Sequence, residues 1–240
     1  MKNIDFLTAK PIAHRGLHDE SSPENSLSAF QKAIDLNLPI ELDVQASLEG
    51  VPVVFHDASL ERLTSLEGPI YHQTLDTLEK TPLKDSEDTI PSLKKVLSLI
   101  NGQVPLLIEI KSESPYVSLT KAVIETFKDY PGLYSLQSFD PRVVKLIKKL
   151  NPQIIRGQIS GMFEESSLKP LKKWALSRMV RNIFNHPDYI VYDVHHLEKP
   201  WVQNARKKRP LIAYTLTSKK ASEDALKYSD QVIFEDFSWD

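Results

Sequence analysis

The sequence predicts an α/β protein, and more narrowly a (β/α)8 TIM barrel with a β-hairpin extension after strand 2 and a small insertion. Three observations predict this fold class. Short β-branched runs alternate with helical patterns over the whole chain, which is typical of a parallel sheet covered by helices. There are nine such runs, and two of them follow each other too closely for a parallel crossover. If these two form a hairpin, eight parallel strands remain. An open doubly wound sheet is the alternative, but the sequence has no GxGxxG or P-loop motif.

The second and third runs are separated only by QASLEG, which favours a hairpin. We predict a two-residue turn at Glu49-Gly50, with Gly50 supplying the positive φ angle. This turn would place Asp43 opposite His56. The nine runs are PIAH at 11–14, IELDV at 40–44, VPVVFH at 51–56, PLLIEIK at 105–111, YSLQSF at 134–139, IIRGQI at 154–159, YIVYDV at 189–194, LIAYTL at 211–216 and QVIFED at 231–236.

Apolar residues recur at helical spacing between the runs, for example at Leu93, Val96, Leu97 and Ile100, and such helices would cover the sheet. Residues 57–103 form an unusually long connection, and residues 160–187 form a second excursion. No linker or low-complexity stretch divides the chain. We therefore expect one domain over residues 1–240, with an insertion at about 57–90.

The composition is that of an ordinary globular protein, with 41% hydrophobic and 26% charged residues among 240. A formal net charge of -2 gives no general attraction for nucleic acid. The absence of cysteine excludes disulfides, thiolate metal sites and a cysteine nucleophile. The sequence shows neither a signal-peptide core nor an apolar stretch long enough to cross a bilayer, so we expect a cytoplasmic protein.

Chemically reactive side chains collect where the predicted strands end. Alternate residues of a strand share a face, so Glu41 and Asp43 lie side by side. In a barrel, the C-terminal ends of the strands form the catalytic mouth. We therefore expect one polar cluster there, made of His14, Arg15, Glu41, Asp43, His56, Glu109 and Lys111.

The composition of this cluster indicates phosphodiester cleavage. Three carboxylates without thiolates suit one divalent cation, Mg²⁺ or Ca²⁺. Arg15 and Lys111 suit a phosphate, and two histidines across a phosphate can serve as general base and general acid. Structural ion pairs are the alternative interpretation, but a set of acids and histidines on apolar strands favours a functional site.

Several ordered motifs resemble the signature of the glycerophosphodiester phosphodiesterase family. The motifs are AHRG at 13–16, PENS at 23–26, IELDV at 40–44, EGVPVVFHD at 49–57, IPSL at 90–93, LIEIK at 107–111 and SF at 138–139. Three positions depart from the usual pattern: Ser26, Glu49 and Tyr214 stand where threonine, aspartate and tryptophan are common. We interpret the first two as structural, and Tyr214 as a residue of the glycerol or head-group pocket.

The resemblance implies a role for each member of the cluster. His14 and His56 would be the catalytic acid/base pair, and Arg15 and Lys111 would hold the phosphate. Glu41, Asp43 and Glu109 would bind the divalent metal, which helps activate the glycerol hydroxyl next to the phosphate. That hydroxyl attacks phosphorus, expels an alcohol such as choline or ethanolamine, and leaves a cyclic phosphate that water opens to sn-glycerol 3-phosphate.

Two other functions stay open at this point. One is lysophospholipase D-type activity at the same site, and the other is noncatalytic binding of glycerol phosphates. The segment 168–184 mixes cationic and large apolar residues. Such a segment is more often an amphipathic helix packed on its own domain, but weak contact with a membrane surface is the alternative.

Overall fold

The computed structural model describes residues 2–113, 115–164 and 166–239. The chain has two compact units, one of residues 13–134 and the other of the residues up to Ile12 together with those from Ser135 onward. All nine predicted runs form strands. They are β1 (Ile12–Ala13), β2 (Ile40–Ala46), β3 (Pro52–Val54), β4 (Leu106–Ile110), β5 (Tyr134–Ser138), β6 (Ile155–Ser160), β7 (Tyr189–Asp193), β8 (Leu211–Leu216) and β9 (Gln231–Phe234).

The strands follow the order β1-β9-β8-β7-β6-β5-β4-β2-β3 in one sheet, and β1 also pairs with β2. This is the topology of an eight-stranded parallel barrel with β3 as one extra antiparallel strand. The predicted fold class is therefore confirmed. The α-helices are α1 (Phe6–Ala9), α2 (Leu27–Asp35), α3 (Leu75–Leu78), α4 (Leu93–Ile100), α5 (Tyr116–Thr126), α6 (Pro141–Leu150), α7 (Pro170–Ser177), α8 (Asn182–Asn185), α9 (Pro200–Arg206) and α10 (Lys219–Ala225).

In the unit of residues 13–134, β2 is the strand that organises the site. It pairs in parallel with β1 and β4, and every one of its residues is buried. A strand covered on both faces is expected to be apolar throughout. Glu41 and Asp43 interrupt that pattern, so their burial requires polar or charged partners.

The predicted register of the β2–β3 hairpin is wrong by one residue, so Asp43 lies opposite Phe55, whose backbone N–H donates to the Asp43 carbonyl, and not opposite His56. Val44 pairs with Val54 and Gln45 with Val53, so the loop holds three residues, Leu48 to Gly50. Gly50 takes a φ of 79°, and its backbone N–H donates to the Ser47 carbonyl. The Ser47 hydroxyl also bridges the loop, because it donates to Glu49 and accepts from the Val51 backbone. These bonds stabilise a three-residue loop.

Residues 57–90 carry a hydrophobic cluster built on β3. Phe55 and Val53 pack there with buried residues of the following connection, which explains how so long a segment stays ordered. The buried members are Val53, Phe55, Leu60, Ile70, Leu78, Leu83 and Ile90.

In the other unit, β5, β6, β7, β8 and β9 pair in parallel in sequence order. The segment 168–184 differs from the single amphipathic helix that its composition suggests. It forms α7 and α8, separated by a turn in which Met179 has a φ of 52° and the Val180 backbone N–H donates to the Ala175 carbonyl. A left-handed residue ends a helix, so the chain changes direction there.

Candidate active site

The loop after β1 presents the first two residues of the site. Arg15 and Gly16 both have positive φ angles, 52° and 82°. A Cβ on Gly16 would lie 2.9 Å from the carbonyl carbon of Ala29, so only glycine fits against α2. Ser26 begins α2 by accepting a hydrogen bond from the Ala29 backbone N–H, and its role is structural, as interpreted from the sequence. This loop places His14 and Arg15 beside β2.

The three carboxylates lie together on β2 and β4. Asp43 is the direct neighbour of Glu109 in the parallel register, and Glu41 precedes Asp43 by two residues. All three side chains are buried, and each offers an oxygen that lies within 4.8 Å of the others. The predicted acidic cluster is therefore formed.

Two cations contact these acids. Lys111 Nζ lies 2.8 Å from Asp43 Oδ1 and 2.8 Å from Glu109 Oε1. Arg15 Nε lies 3.1 Å from Asp43 Oδ2, and its backbone N–H donates to Glu41 Oε2 at 3.3 Å. Among the described residues, the three carboxylates thus contact one lysine and one arginine, so permanent cations are fewer than carboxylates in the cluster.

Burial and the neighbouring charges shift the pKa values of the three acids. Burial raises the pKa of Glu41 well above its usual range, and Asp43 and Glu109 raise it further. Burial also raises the pKa of Glu109 to about 6 against the opposing effect of Lys111. Burial would raise the pKa of Asp43 as well, but Lys111 and Arg15 outweigh it and keep that pKa below its usual range. Binding of an additional cation or of a proton would therefore stabilise the cluster.

The two histidines flank the acids. His14 Nε2 lies 4.0 Å from Glu41 Oε2. His56 follows β3, and its Nδ1 lies 2.6 Å from Asp57 Oδ1. This contact assigns the proton of the neutral ring to Nδ1 and leaves Nε2 as its unprotonated nitrogen. Burial lowers the pKa of His56, as do Lys111 and Arg15, against the opposing effect of Asp43 and Asp57.

A network of charged side chains next to the site was not predicted from the sequence. Arg62, in the connection after β3, donates from Nε to Asp57 Oδ2 at 2.5 Å. Its two terminal nitrogens donate to Glu24 at 2.8 and 2.7 Å. Glu24 also accepts from Arg15 Nη1 at 2.8 Å. One guanidinium thus connects the partner of His56 to the partner of Arg15, and residues 38 positions apart in sequence give no local signal of this contact.

Asn25 is a further residue to which the sequence analysis gave no role. Its side chain donates to Asp43 Oδ2 at 3.0 Å and accepts from the Asp43 backbone N–H at 3.2 Å. Asn25 is buried and has a φ of 60°, a conformation that asparagine tolerates better than most residues. The PENS motif was the available signal, since both Glu24 and Asn25 belong to it.

Tyr214 belongs to the other unit. It lies on β8, donates to the Ser160 carbonyl at 3.2 Å, and meets Phe139 edge to face at 5.9 Å between ring centroids. Phe139 also contacts Phe163 at 6.2 Å. Tyr214 is therefore held within an aromatic group, and its role in substrate binding stays a prediction.

Comparison with known proteins identifies the family. A model of the glycerophosphoryl diester phosphodiesterase family matches residues 14–237. The chain belongs to this family. A glycerophosphodiester phosphodiesterase of Caldanaerobacter subterraneus subsp. tengcongensis is 31% identical over 189 residues, which cover 74% of this chain and 75% of that protein. The family resemblance drawn from the sequence motifs is confirmed.

Solved structures of phosphodiesterases share the fold. An Oleispira antarctica phosphodiesterase in complex with the product sn-glycerol-3-phosphate superposes with a TM-score of 0.82 at 23% identity, covering 96% of this chain and 94% of that one. A glycerophosphodiester phosphodiesterase from Thermotoga maritima has a TM-score of 0.73 at 26% identity, covering 94% of each chain. These likenesses confirm the barrel fold, and the family assignment makes the chain a phosphoric diester hydrolase. Among the described residues of this family member, no helix has the length and apolar character to cross a membrane.

Proposed function

We propose that the chain is a divalent-metal-dependent phosphodiesterase that hydrolyses glycerophosphodiesters to sn-glycerol 3-phosphate and an alcohol. Glycerophosphocholine and glycerophosphoethanolamine are the proposed substrates. The observation that carries this proposal is the cluster of three buried carboxylates, which among the described residues contacts the cations Arg15 and Lys111 and is flanked by two histidines. A structural ion-pair network would balance its buried carboxylates with lysine or arginine, whereas this cluster requires a proton or a further cation.

The chemistry of the donor set fits a divalent cation. Glu41, Asp43 and Glu109 offer hard oxygen donors that suit Mg²⁺ or Ca²⁺. Such an ion would supply positive charge to a phosphate oxygen and to the glycerol hydroxyl that attacks phosphorus. With the acids neutralised in this way, Lys111 is less strongly attracted to them and can turn towards the phosphate.

Side chains of the protein bind the phosphate and transfer the protons. Arg15, whose Nε and Nη1 contact Asp43 and Glu24, offers its positive charge and its remaining N–H groups to the phosphate oxygens. We assign His56 as the base, since burial lowers its pKa, which favours the neutral imidazole, and Asp57 orients it. His56 takes the proton of the glycerol hydroxyl while that oxygen attacks phosphorus, and His14 protonates the departing alcohol. The roles then reverse: His14 takes a proton from water, water opens the cyclic phosphate, and His56 protonates the glycerol oxygen.

The activity itself is tested with the purified protein and glycerophosphocholine. We expect release of sn-glycerol 3-phosphate that stops in EDTA and returns with Mg²⁺ or Ca²⁺. Turnover that persists in EDTA would contradict metal dependence. Product from lysophosphatidylcholine alone would favour lysophospholipase D-type activity, and binding of sn-glycerol 3-phosphate without turnover of either substrate would favour a noncatalytic role.

Metal affinity is expected to depend on pH. Bound metal requires ionised ligands, but the metal-free cluster holds protons because the pKa of Glu109 is raised to about 6 and that of Glu41 is also raised. Affinity should therefore fall as the pH decreases below about 6, by about tenfold per pH unit for each displaced proton. Calorimetric titration with Ca²⁺, in buffers of different ionisation enthalpy, measures both the affinity and the protons released. Affinity that does not change between about pH 5 and about pH 7 would contradict the proposed ligands.

Arg62 is expected to act as a positioning residue. In Arg62→Met, Asp57 and Glu24 lose their shared partner, so His56 and Arg15 are oriented less firmly. We expect kcat to fall by about ten- to a hundredfold, with partial recovery in Arg62→Lys. The uncompensated charge of Asp57 should also raise the pKa of His56 and move the acidic limb of the kcat/KM profile to higher pH.

The pair of Arg206 with Asp230 offers a matched control, since Arg206→Met removes the same kind of contact just before β9, at the end of the strand opposite the predicted mouth. This control should keep the wild-type pH profile. If Arg62→Met lowers thermal stability but leaves both kcat and the pH profile unchanged, then Arg62 has a purely structural role.

A further inference from the structure

We propose that residues 168–184 form a docking surface for membranes that contain anionic lipids. This proposal goes beyond the proposed activity, and it rests on the exposure and charge of a different part of the molecule. We refer to these residues as the basic apolar segment.

Large apolar side chains of the basic apolar segment point to solvent. Residues three apart share a helix face, so Leu171 and Trp174 lie on the same side of α7. In a folded protein, exposed apolar side chains that are close in sequence indicate an interaction surface more strongly than scattered ones do. The exposed fractions are 76% for Leu171, 49% for Trp174, 40% for Val180, 66% for Ile183 and 63% for Phe184.

The charge of this segment has one sign. The sequence from residue 166 to residue 187 contains five lysines and arginines and no aspartate or glutamate, although the whole chain has a net charge of -2. Lys148 of α6 adds a further cation, since its Nζ donates to the Phe184 carbonyl at 3.0 Å. The five cations are Lys169, Lys172, Lys173, Arg178 and Arg181.

An anionic lipid surface complements both features at once. Lipid headgroups attract lysine and arginine, and the boundary with the acyl chains accepts tryptophan, phenylalanine and leucine. Arg178 lies 5.2 Å from the ring centre of Trp174 and 4.3 Å from that of Trp201. This cation-π contact holds the Trp174 ring in place while half of its surface stays exposed, as suits an interfacial side chain.

Two other occupants complement the segment less well. A second copy of this chain on a two-fold axis would bring two sets of cations together, and like charges across an interface repel. Nucleic acid would satisfy the cations, but its phosphate backbone offers no apolar surface for Leu171, Ile183 and Phe184. The structure therefore favours a lipid surface.

Co-sedimentation of the full chain with vesicles tests the proposal. The probes are vesicles of phosphatidylcholine alone and vesicles of equimolar phosphatidylcholine and phosphatidylglycerol. We expect binding to the anionic vesicles that weakens as salt is added, and at least about tenfold weaker binding to phosphatidylcholine. Equal binding to both kinds of vesicle, or binding to neither, would overturn the proposal.

Paired variants separate the contributions of the segment. Ile183→Ser with Phe184→Ser removes apolar contact, and Lys172→Gln with Arg181→Gln removes charge. Each pair should weaken binding to anionic vesicles by about tenfold, whereas Leu36→Ser and Lys207→Gln, which are exposed elsewhere, should not. Wild-type binding by both pairs would refute the assignment to this segment.

Self-association is checked on the same samples by sedimentation velocity. If the wild type forms a dimer and both variant pairs dissociate it, then the segment binds a second copy of the chain and not a lipid surface. The wild type and both variant pairs should hydrolyse soluble glycerophosphocholine at equal rates. The vesicle experiment therefore tests membrane binding separately from the proposed activity.

Discussion

Replacing His56 with alanine should reduce turnover of glycerophosphocholine by about a thousandfold, because general acid-base catalysis contributes about 10²–10⁴ to rates. His56 is partly exposed, and its ring contacts Asp57 at the surface of the site, so its loss removes little packing. We expect the thermal unfolding temperature and the Ca²⁺ affinity to stay close to those of the wild type. Release of sn-glycerol 3-phosphate measures the rate, and calorimetry measures the metal.

His72 provides a matched control for this variant. It is exposed on the short 3-10 turn Ile70–His72, and its ring meets Tyr71 edge to face. His72→Ala should keep the wild-type rate. Wild-type turnover in His56→Ala would refute the assignment of His56, and loss of Ca²⁺ binding would indicate that this histidine supports the metal site instead.

Replacing Lys111 with methionine should destabilise the metal-free protein by about 3 kcal/mol, because removal of one partner leaves buried charge uncompensated. The Nζ of Lys111 is within 2.8 Å of both Asp43 and Glu109, and the side chain is buried. For a chain of this length the change corresponds to a decrease of about 10 °C in Tm. A bound divalent cation supplies the missing charge, so Ca²⁺ or Mg²⁺ should recover much of the loss.

Thermal unfolding in EDTA and in Ca²⁺ tests this expectation. The exposed pair of Lys80 with Asp76 gives the control, since Lys80→Met removes a lysine from a carboxylate in solvent and should change stability by less than about 1 kcal/mol. Equal unfolding temperatures for the wild type and Lys111→Met in EDTA would show that Lys111 does not stabilise the buried carboxylates. We also expect a lower kcat/KM for Lys111→Met, and an unchanged value would remove Lys111 from phosphate recognition.

Sequence patterns predicted most of the architecture because strands and helices follow from short-range periodicity. All nine runs form strands, and the hairpin after β2 is present. The predicted register of that hairpin was wrong because the length of the loop depends on hydrogen bonds of Ser47 and Glu49. These bonds favour a three-residue loop over the two-residue turn that the sequence suggests. The single amphipathic helix suggested over 168–184 was wrong because Met179 takes a left-handed conformation. The extent of the domain and the roles of the site residues stay predictions.

The sequence by itself determined the inventory of the site: two histidines, three carboxylates and two cations at the ends of neighbouring strands. Strand alternation places such residues on one face, and motif order identifies their family. Only the tertiary structure decided how their charges are shared. Arg62 joins Asp57 to Glu24, which is 38 positions away, and Asn25 holds Asp43, which is 18 positions away. Local patterns carry no information on such contacts, because burial and hydrogen-bond partners arise only when distant segments pack together.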